Sequence, residues 1–299
     1  MRYWIVLFFY CVLAGRFEAD AQNQALVFQS DFGLKDGAVA AMKGVAFSVS
    51  PQLRMFDITH EITAFNIQEA AYRLNQVAAY WPAGTVFVSI VDPGVGSARR
   101  SIVMKTKTGH FFVTPDNGTL TLVAETLGVL SVREIDESKN RLKGSQGSYT
   151  FHGRDVYAYT GARLAAHVIS FEEVGPKLEG DIVRLPLSKP VFSRGEIQGT
   201  IPVLDIQYGN VWTNIDEETF KKLGIQSGDP VHVKIFKGKE LVYEGTVRYA
   251  HTFSEVEIGQ PIGYLNSLMN FSLGINQGNF AEHYSIGTGE LWKIVLTSE

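Results

Sequence analysis

The first half of the chain alternates short apolar runs with helical stretches. The runs ALVFQS, TVFVSI and HFFVTP have the composition of buried strands. Between the first two, VAAMKGVAFSV is apolar nearly all round and predicts a buried helix. Asn66, with Glu69 three residues later, predicts the N-cap of another helix, whose apolar face is formed by Ile67, Ala70, Leu74 and Val77. This alternation predicts an α/β domain with a central sheet and flanking helices over residues 22–185.

The pattern changes at about Pro186. The stretch LPLSKPVFSRGEIQG has two prolines, two glycines and little periodicity, which predicts a connector over residues 186–196. Beyond it lie short strands with alternating polarity, such as GTIPVLDIQ, DPVHVKIF and ELVYEGTVRYA, and one convincing helix, DEETFKKLG. This second pattern predicts a smaller, β-rich and barrel-like domain over residues 197–299.

The N-terminal segment has the features of a signal peptide. Arg2 precedes the apolar run YWIVLFFYCVLAG, and Ala19-Asp20-Ala21 matches an A-x-A cleavage site. We therefore expect a signal peptide over residues 1–21 and a periplasmic mature chain; the chain would be cytoplasmic if the segment is not a true signal. The single cysteine, Cys11, lies in this segment. The mature chain would then have no disulfide, thiolate metal site or cysteine nucleophile.

The length and net charge of the chain limit the kinds of molecule that it could bind. The chain has 299 residues, of which 45% are hydrophobic, and is long enough for two domains. Its formal net charge is −4, so it lacks the basic surplus that neutralises nucleic-acid phosphates. We expect a small-molecule ligand and no nucleic-acid partner.

Polar residues that stand out fall at the predicted strand ends. Asp31, Asp92 and Asp116 follow the three apolar runs, and His152 lies in a polar loop after SYTF, which predicts a further strand. Ligands of open α/β sheets bind at the carboxyl ends of the strands, so these groups could converge on one pocket. Taken singly, Asp31 and Asp116 are better explained as caps of turns.

The spacing of the polar residues supports none of several common kinds of site. The sequence has no H-x-H, H-x-x-x-H or D-x-D-x-[DN] set for a metal, no P-loop or dinucleotide fingerprint, and no G-x-S-x-G serine motif. No metal site is predicted. A carboxylate, a guanidinium and an imidazole remain, and these could bind and polarise one water. The residues alone do not name an activity.

Six segments together resemble one known family. They are, in order, SDFGLKDGAVAAMKGV, VDPGVGSARR, PDNGTL, TFHGRD, DIQYGNVWTNI and IGYLNSLMNFSLGINQGN. They are similar to the S-adenosyl-L-methionine (SAM) hydroxide adenosyltransferases, the adenosine-forming SAM hydrolases, whose fold includes fluorinase and chlorinase. The resemblance runs from about Ala25 to the C-terminal strand. It implies attack of water or hydroxide on C5′ of the adenosyl group, releasing adenosine and L-methionine without a cofactor, in a homotrimer with sites between subunits.

The resemblance also implies roles for individual residues. The family's catalytic triad falls on Asp92, Arg99 and His152. The implied substrate contacts are Asp31 for the ribose hydroxyls, Phe65 as a packing aromatic, Asp205 for the methionine amine, Tyr208 as an aromatic face for adenine, Asn210 as an amide, and Ser267.

The sequence also departs from the halogenase branch of the fold. Leu268 stands where fluorinase has an arginine, which leaves Ser267 or backbone amides to hold the methionine carboxylate. Asp92 and the His152-Gly153 pair replace the residues shaped for a halide, so halide transfer is not expected.

The predicted signal peptide and the implied substrate conflict, because an exported protein leaves the cytoplasm, whereas SAM is made and held there. Two hypotheses therefore stay open at this stage. One is a SAM hydrolase, favoured by the intact triad. The other is a non-catalytic, exported adenosine- or SAM-binding protein, favoured by the signal peptide.

Overall fold

The protein is built on two β-sheets that follow one another along the chain. The computed structural model describes residues 23–298, so the predicted signal peptide lies outside the described residues. The first sheet contains β1 (Ala25–Ser30), β2 (Arg54–Thr59), β3 (Val86–Ile90), β4 (Ser101–Thr106), β5 (Phe111–Pro115) and β6 (Val129–Glu134). Its helices are α1 (Ala38–Val49), α2 (Ile67–Ala78), α3 (Thr121–Leu127) and α4 (Tyr159–Ala165).

The first sheet has the order β2-β1-β3-β5-β4-β6. Strands β2, β1, β3 and β5 are parallel, whereas β4 runs antiparallel to both of its neighbours. The carboxyl ends of β1 and β3 therefore lie at the same edge, where Asp31 and Asp92 leave the sheet. Asp116 follows β5 but forms an ion pair with Arg100 and accepts a hydrogen bond from the Val183 N–H at 2.8 Å. The Asp116 side chain therefore joins the end of β5 to two other segments instead of capping its own turn, which differs from the simpler interpretation of the sequence.

The second sheet is curled, β-rich and has nine strands. Their order is β7-β8-β15-β11-β12-β13-β14-β10-β9. They are β7 (Val191–Ser193), β8 (Glu196–Thr200), β9 (Val203–Asp205), β10 (Asn210–Asp216), β11 (Pro230–Lys237), β12 (Glu240–Tyr249), β13 (Pro261–Leu265), β14 (Asn270–Ile275) and β15 (Trp292–Thr297). Two short helices, α5 (Glu217–Phe220) and α6 (Phe280–His283), accompany it. The predicted fold class, an α/β part followed by a β-rich part, is confirmed.

Three local predictions were wrong. Helix α1 buries only one face, while Phe47 on its outer face is exposed, because a helix packed on a sheet covers only the stripe that faces the sheet. The stretch SYTF is irregular rather than a strand; the carbonyl of Ser148 accepts a hydrogen bond from the Arg141 side chain instead of from a neighbouring strand. Helix α6, four residues long and capped by Asn279, was not predicted because it is too short to show periodicity.

Helix α2, which belongs to the first sheet, packs against strands of the second sheet. Tyr72 on this helix packs in a buried cluster with Val203 and Trp212 of the second sheet. Arg73, the next residue, donates from Nη2 to the carbonyl of Leu204 at 2.6 Å. Within residues 23–298, no helix is long and apolar enough to cross a bilayer.

A glycine in α4 allows that helix to lie close against the first sheet. A Cβ atom at Gly161 would lie 2.5 Å from Cγ2 of Val88, a core strand residue. We expect Gly161→Ala to lower the free energy of unfolding by about 1–3 kcal/mol, because overpacking shifts the helix. Gly44→Ala in α1 is the matched control, since nothing lies within 4 Å of a Cβ there. It should raise stability by up to about 1 kcal/mol. Urea denaturation measures the free energy of unfolding of both variants. An equal loss of stability in the two would contradict the packing argument.

Candidate active site

A tight turn after β3 brings an arginine back onto an aspartate. The Val95 N–H donates to the carbonyl of Asp92 at 3.2 Å, and Gly96 adopts a φ of 76°, which glycine accepts at little cost. Arg99 then donates from Nε to Oδ1 of Asp92 at 2.8 Å and from Nη2 to Oδ2. The side chains are only 11% and 6% exposed. The result is a buried, bidentate ion pair, the geometry in which such pairs are strongest.

Neighbouring residues fix the guanidinium of Arg99 in place. Its Nη1 donates to Oγ of Ser101 at 3.0 Å, and its central carbon lies 5.5 Å from the ring centre of Tyr157. Burial by itself lowers the pKa of Arg99. The hydrogen bonds to Asp92, together with the electrostatic effects of the neighbouring acidic groups, outweigh burial and raise the pKa above its ordinary value. Arg99 is therefore a permanent, oriented positive charge.

His152 completes the set that the resemblance implies. It directly precedes a π-helical turn, Gly153–Ala158, that continues into α4, and it is 5% exposed. Its Nδ1 lies 3.1 Å from Nη2 of Arg99, and its Nε2 lies 3.4 Å from Nη1 of Arg141. Burial lowers the pKa of His152; Glu137 acts in the opposite direction, and the two arginines lower it further. The imidazole is therefore neutral at pH 7.

A cavity of about 240 Å³ opens at this edge of the first sheet. The predicted residues that line it are Asp31, Phe65, Asp92 and His152. Phe65 is exposed and has a φ of 67°, which is uncommon for a bulky residue, and its N–H donates to Oδ2 of Asp31 at 2.9 Å. The carboxylate thus holds the Phe65 backbone in a strained conformation, and the residue lines the cavity.

Two of the predicted residues of the second half line another cavity, of about 680 Å³. Tyr208 and Asn210 line it at the start of β10, together with Phe253. Asp205, at the end of β9, accepts a hydrogen bond through Oδ2 from Nδ2 of Asn210 at 3.1 Å. The two cavities share no lining residue within one chain.

Ser267 lies apart from both cavities. It is exposed in the turn between β13 and β14, at the opposite end of β14 from Ile275, which lines the larger cavity. Leu268 is partly buried against the cluster that contains Tyr72 and Trp212. The structure therefore does not bring Ser267 together with Tyr208 and Asn210 in one chain.

The chemistry available at the smaller cavity is that of a neutralised ion pair beside a neutral imidazole. Asp92 and Arg99 cancel each other's net charge, and each carboxylate oxygen keeps a lone pair for a further donor. Between residues 23 and 298 there is no group of three His, Cys, Asp or Glu side chains that could hold a metal ion. The arrangement can bind and orient a water molecule.

The sequence reasoning missed four residues around the triad: Ser101, Glu137, Arg141 and Tyr157. Ser101 and Tyr157 lie close to the recognised motifs, and a search two residues beyond each motif would have included them. Glu137 and Arg141, which form an ion pair at 2.8 Å, lie in an irregular segment with no pattern. No sequence signal marked that pair.

Comparisons with known proteins agree with the geometry. The model of the SAM hydroxide adenosyltransferase N-terminal domain matches residues 26–175, and that of the C-terminal domain matches residues 199–293. A protein of Salinispora tropica named (R)-S-adenosyl-L-methionine hydrolase is 34% identical, over 89% of this chain and 96% of that protein. A protein of the same name from Methanocaldococcus jannaschii is 39% identical over 66% of this chain and 69% of its own. A fluorinase of an Actinoplanes species is 29% identical over 89% and 96%.

A solved structure has the same fold. It is an uncharacterised conserved protein from Thermotoga maritima, 34% identical, with a TM-score of 0.84 over 91% of this chain and 99% of the other. The family models together span both sheets and include all three residues of the triad. The chain thus belongs to the SAM hydroxide adenosyltransferase family.

Proposed function

We propose that this protein hydrolyses S-adenosyl-L-methionine to adenosine and L-methionine. The observation that carries the proposal is the buried Asp92–Arg99 pair with His152 3.1 Å from the same guanidinium, at the mouth of a cavity in a member of this family. An oxygen of water bonds to C5′ while the C5′–S bond breaks. The bonding electrons go to sulfur, which loses its positive charge, and the attacking water releases one proton to solvent. The sulfonium needs no acid to leave, so the protein has to supply a positioned nucleophile.

The three residues divide that task. The Asp92 carboxylate accepts a hydrogen bond from the attacking water and orients it. Arg99 provides a fixed positive charge, which lowers the pKa of a nearby water and so favours hydroxide. His152, neutral at pH 7, adds a polar contact without a second full charge. Removal of bulk water by the bound substrate strengthens all three effects.

Hydrolysis fits this site better than halide transfer. The Asp92 carboxylate lines the cavity and accepts a hydrogen bond from water or hydroxide, whereas a halide ion has no proton to donate to it and would be repelled. The test is incubation of the purified protein with SAM, with adenosine and methionine measured by chromatography. Parallel reactions with fluoride and chloride should give no halogenated nucleoside. The absence of adenosine would refute the proposal. The alternative of a non-catalytic binding protein finds no support in the comparisons.

We propose that the working site forms between subunits, in a homotrimer. Ligand pockets for small molecules usually have volumes of about 300–1,000 Å³, so a cavity of about 240 Å³ is small for a whole SAM molecule. The cavity with Tyr208 and Asn210 lies on the other sheet and is separate within one chain. In a closed ring, one chain can offer the triad and its neighbour the second cavity.

Mixed variants test this shared site. Asp92→Ala and Asn210→Ala each damage a different half, so each protein alone should have turnover reduced by about 10²-fold or more. Mixed by unfolding and refolding together, they should regain a clear fraction of the parental activity, because some interfaces then combine two intact halves. Two variants of the same half, Asp92→Ala and His152→Ala, are the matched control and should not regain activity. An active monomer in light scattering would refute the shared site.

We propose that the protein is exported, on the strength of the signal-like segment before Gln22. The N-terminus of the protein recovered from its native host should then begin close to Gln22. Recovery of the intact Met1 form from the cytoplasm would refute export and would place the protein beside its substrate.

A further inference from the structure

Arg141 is a second guanidinium beside His152, and the family resemblance assigns it no role. Its side chain is 6% exposed. It donates from Nη1 to Oε2 of Glu137 at 2.8 Å and from Nη2 to the carbonyl of Ser148 at 2.7 Å, and its central carbon lies 4.8 Å from the ring centre of Tyr149. These contacts hold Nη1 at 3.4 Å from Nε2 of His152. Both ring nitrogens of the histidine therefore face an arginine.

A neutral imidazole cannot accept hydrogen bonds from both. It has one nitrogen with a lone pair and one N–H, whereas a guanidinium has donors only. The contact from Arg99 to Nδ1, at 3.1 Å, is shorter than the contact from Arg141 to Nε2, at 3.4 Å. The lone pair is therefore on Nδ1 and the proton on Nε2. A protonated ring would place an N–H against a cation on both sides.

We propose that Arg141 is a positioning residue of this site: it keeps the His152 imidazole neutral, while Arg99 fixes the ring proton on Nε2 by donating to Nδ1. The inference rests on the proposed function only for the role of the ring in hydrolysis, because the protonation state of His152 can be measured without substrate. With its lone pair engaged by Arg99, His152 presents an N–H. It would stabilise an attacking hydroxide as a donor and would not remove a proton from water as a base.

The charges that face the ring give two variants opposite expected effects. They are Asp92 and Arg99 from the loop after β3, and Glu137 and Arg141 from the segment after β6; the ring of Tyr149 packs edge-on. Burial lowers the pKa of His152, Glu137 and Asp92 raise it, and the two arginines lower it. Loss of the Arg141 charge should therefore raise the pKa, and loss of the Glu137 charge should lower it. Simple loosening would expose the ring and raise the pKa in both variants.

The first test is ¹⁵N NMR titration of the histidine rings in the full chain without substrate, with His152→Asn to assign the signal. In the parental protein, His152 should titrate below its ordinary value with the proton on Nε2. Arg141→Met should raise its pKa by about one unit or more, the effect of a charge within 4–6 Å. Glu137→Gln should lower it, and Arg141→Lys, which keeps the charge, should restore a value near the parental one.

Arg133→Met is a matched control. Arg133 is partly buried, donates to a carbonyl, that of Gly175, at 2.7 Å, and its central carbon lies 5.4 Å from the ring centre of Phe171. Its contacts do not include His152, so the variant should leave the pKa of His152 unchanged. This control separates the loss of a partly buried arginine in general from the loss of the one beside the ring.

The second test is the pH dependence of SAM turnover. The acid limb of kcat/KM should move to higher pH in Arg141→Met by the same amount as the pKa of His152 measured by NMR.

A His152 pKa within about 0.3 units of the parental value in Arg141→Met, or a proton on Nδ1 in the parental protein, would overturn the inference. If Arg141→Met does not fold, a raised pKa of His152 in Glu137→Gln would also overturn the inference. If the NMR shifts occur but SAM is not hydrolysed, the proposed function fails and the role of Arg141 stands.

Discussion

His152→Ala should lower kcat for SAM hydrolysis by about 10²–10⁴-fold, the range expected when a positioned polar group is lost from the reacting centre. The side chain lies 3.1 Å from Arg99 and lines the cavity, and no other histidine of the described residues lines it. Affinity for adenosine should change much less, because the nucleoside contacts implied for Asp31 and Phe65 are kept. Steady-state kinetics and calorimetry with adenosine measure the two quantities.

His283→Ala is the control for this substitution. His283 is exposed at the end of α6 and lies outside both cavities. Its replacement should leave kcat within about twofold, as expected for a surface change. Parental turnover in His152→Ala would show that the triad has been assigned wrongly.

Arg99→Met should cost both activity and stability. It leaves the Asp92 carboxylate buried without its partner, which destabilises a fold by about 3–5 kcal/mol. It also removes the positive charge that favours hydroxide, so turnover should fall by about 10²–10⁴-fold. The double variant Asp92→Asn/Arg99→Met contains no unpaired charge and should regain much of the lost stability, yet none of the turnover. Denaturation at fixed protein concentration and kinetic assays separate the two effects.

Arg100→Met is the matched control, because Arg100 is the next residue and also pairs with a buried aspartate, Asp116. It should lose stability by the same mechanism but keep turnover, since neither residue lines the cavity. Equal stability of Arg99→Met and the parental protein would show that Asp92 does not depend on this partner. Loss of turnover in Arg100→Met would place the chemistry elsewhere.

The sequence by itself determined the features that depend on neighbouring residues. The apolar runs predicted β1, β3 and β5, and Asn66 caps α2 by accepting from the Glu69 N–H at 3.0 Å, as predicted. The return of Arg99 onto Asp92 spans seven residues. The proline and glycine positions of the VDPGVGSARR turn make so short a return possible, because they set the backbone angles locally.

Only the tertiary structure decided the features that depend on packing between distant segments. Arg99 and His152 are 53 residues apart, and the sequence suggested their contact only through the family resemblance. Arg141 meets the same ring from an irregular segment that has no periodicity to predict its place. The separation of Asp31 and Asp92 from Tyr208 and Asn210 into two cavities likewise follows from how the two sheets pack. Hydrophobic pattern and turn chemistry act over a few residues, whereas the charge state of a buried imidazole depends on every group that packing brings within a few ångströms of it.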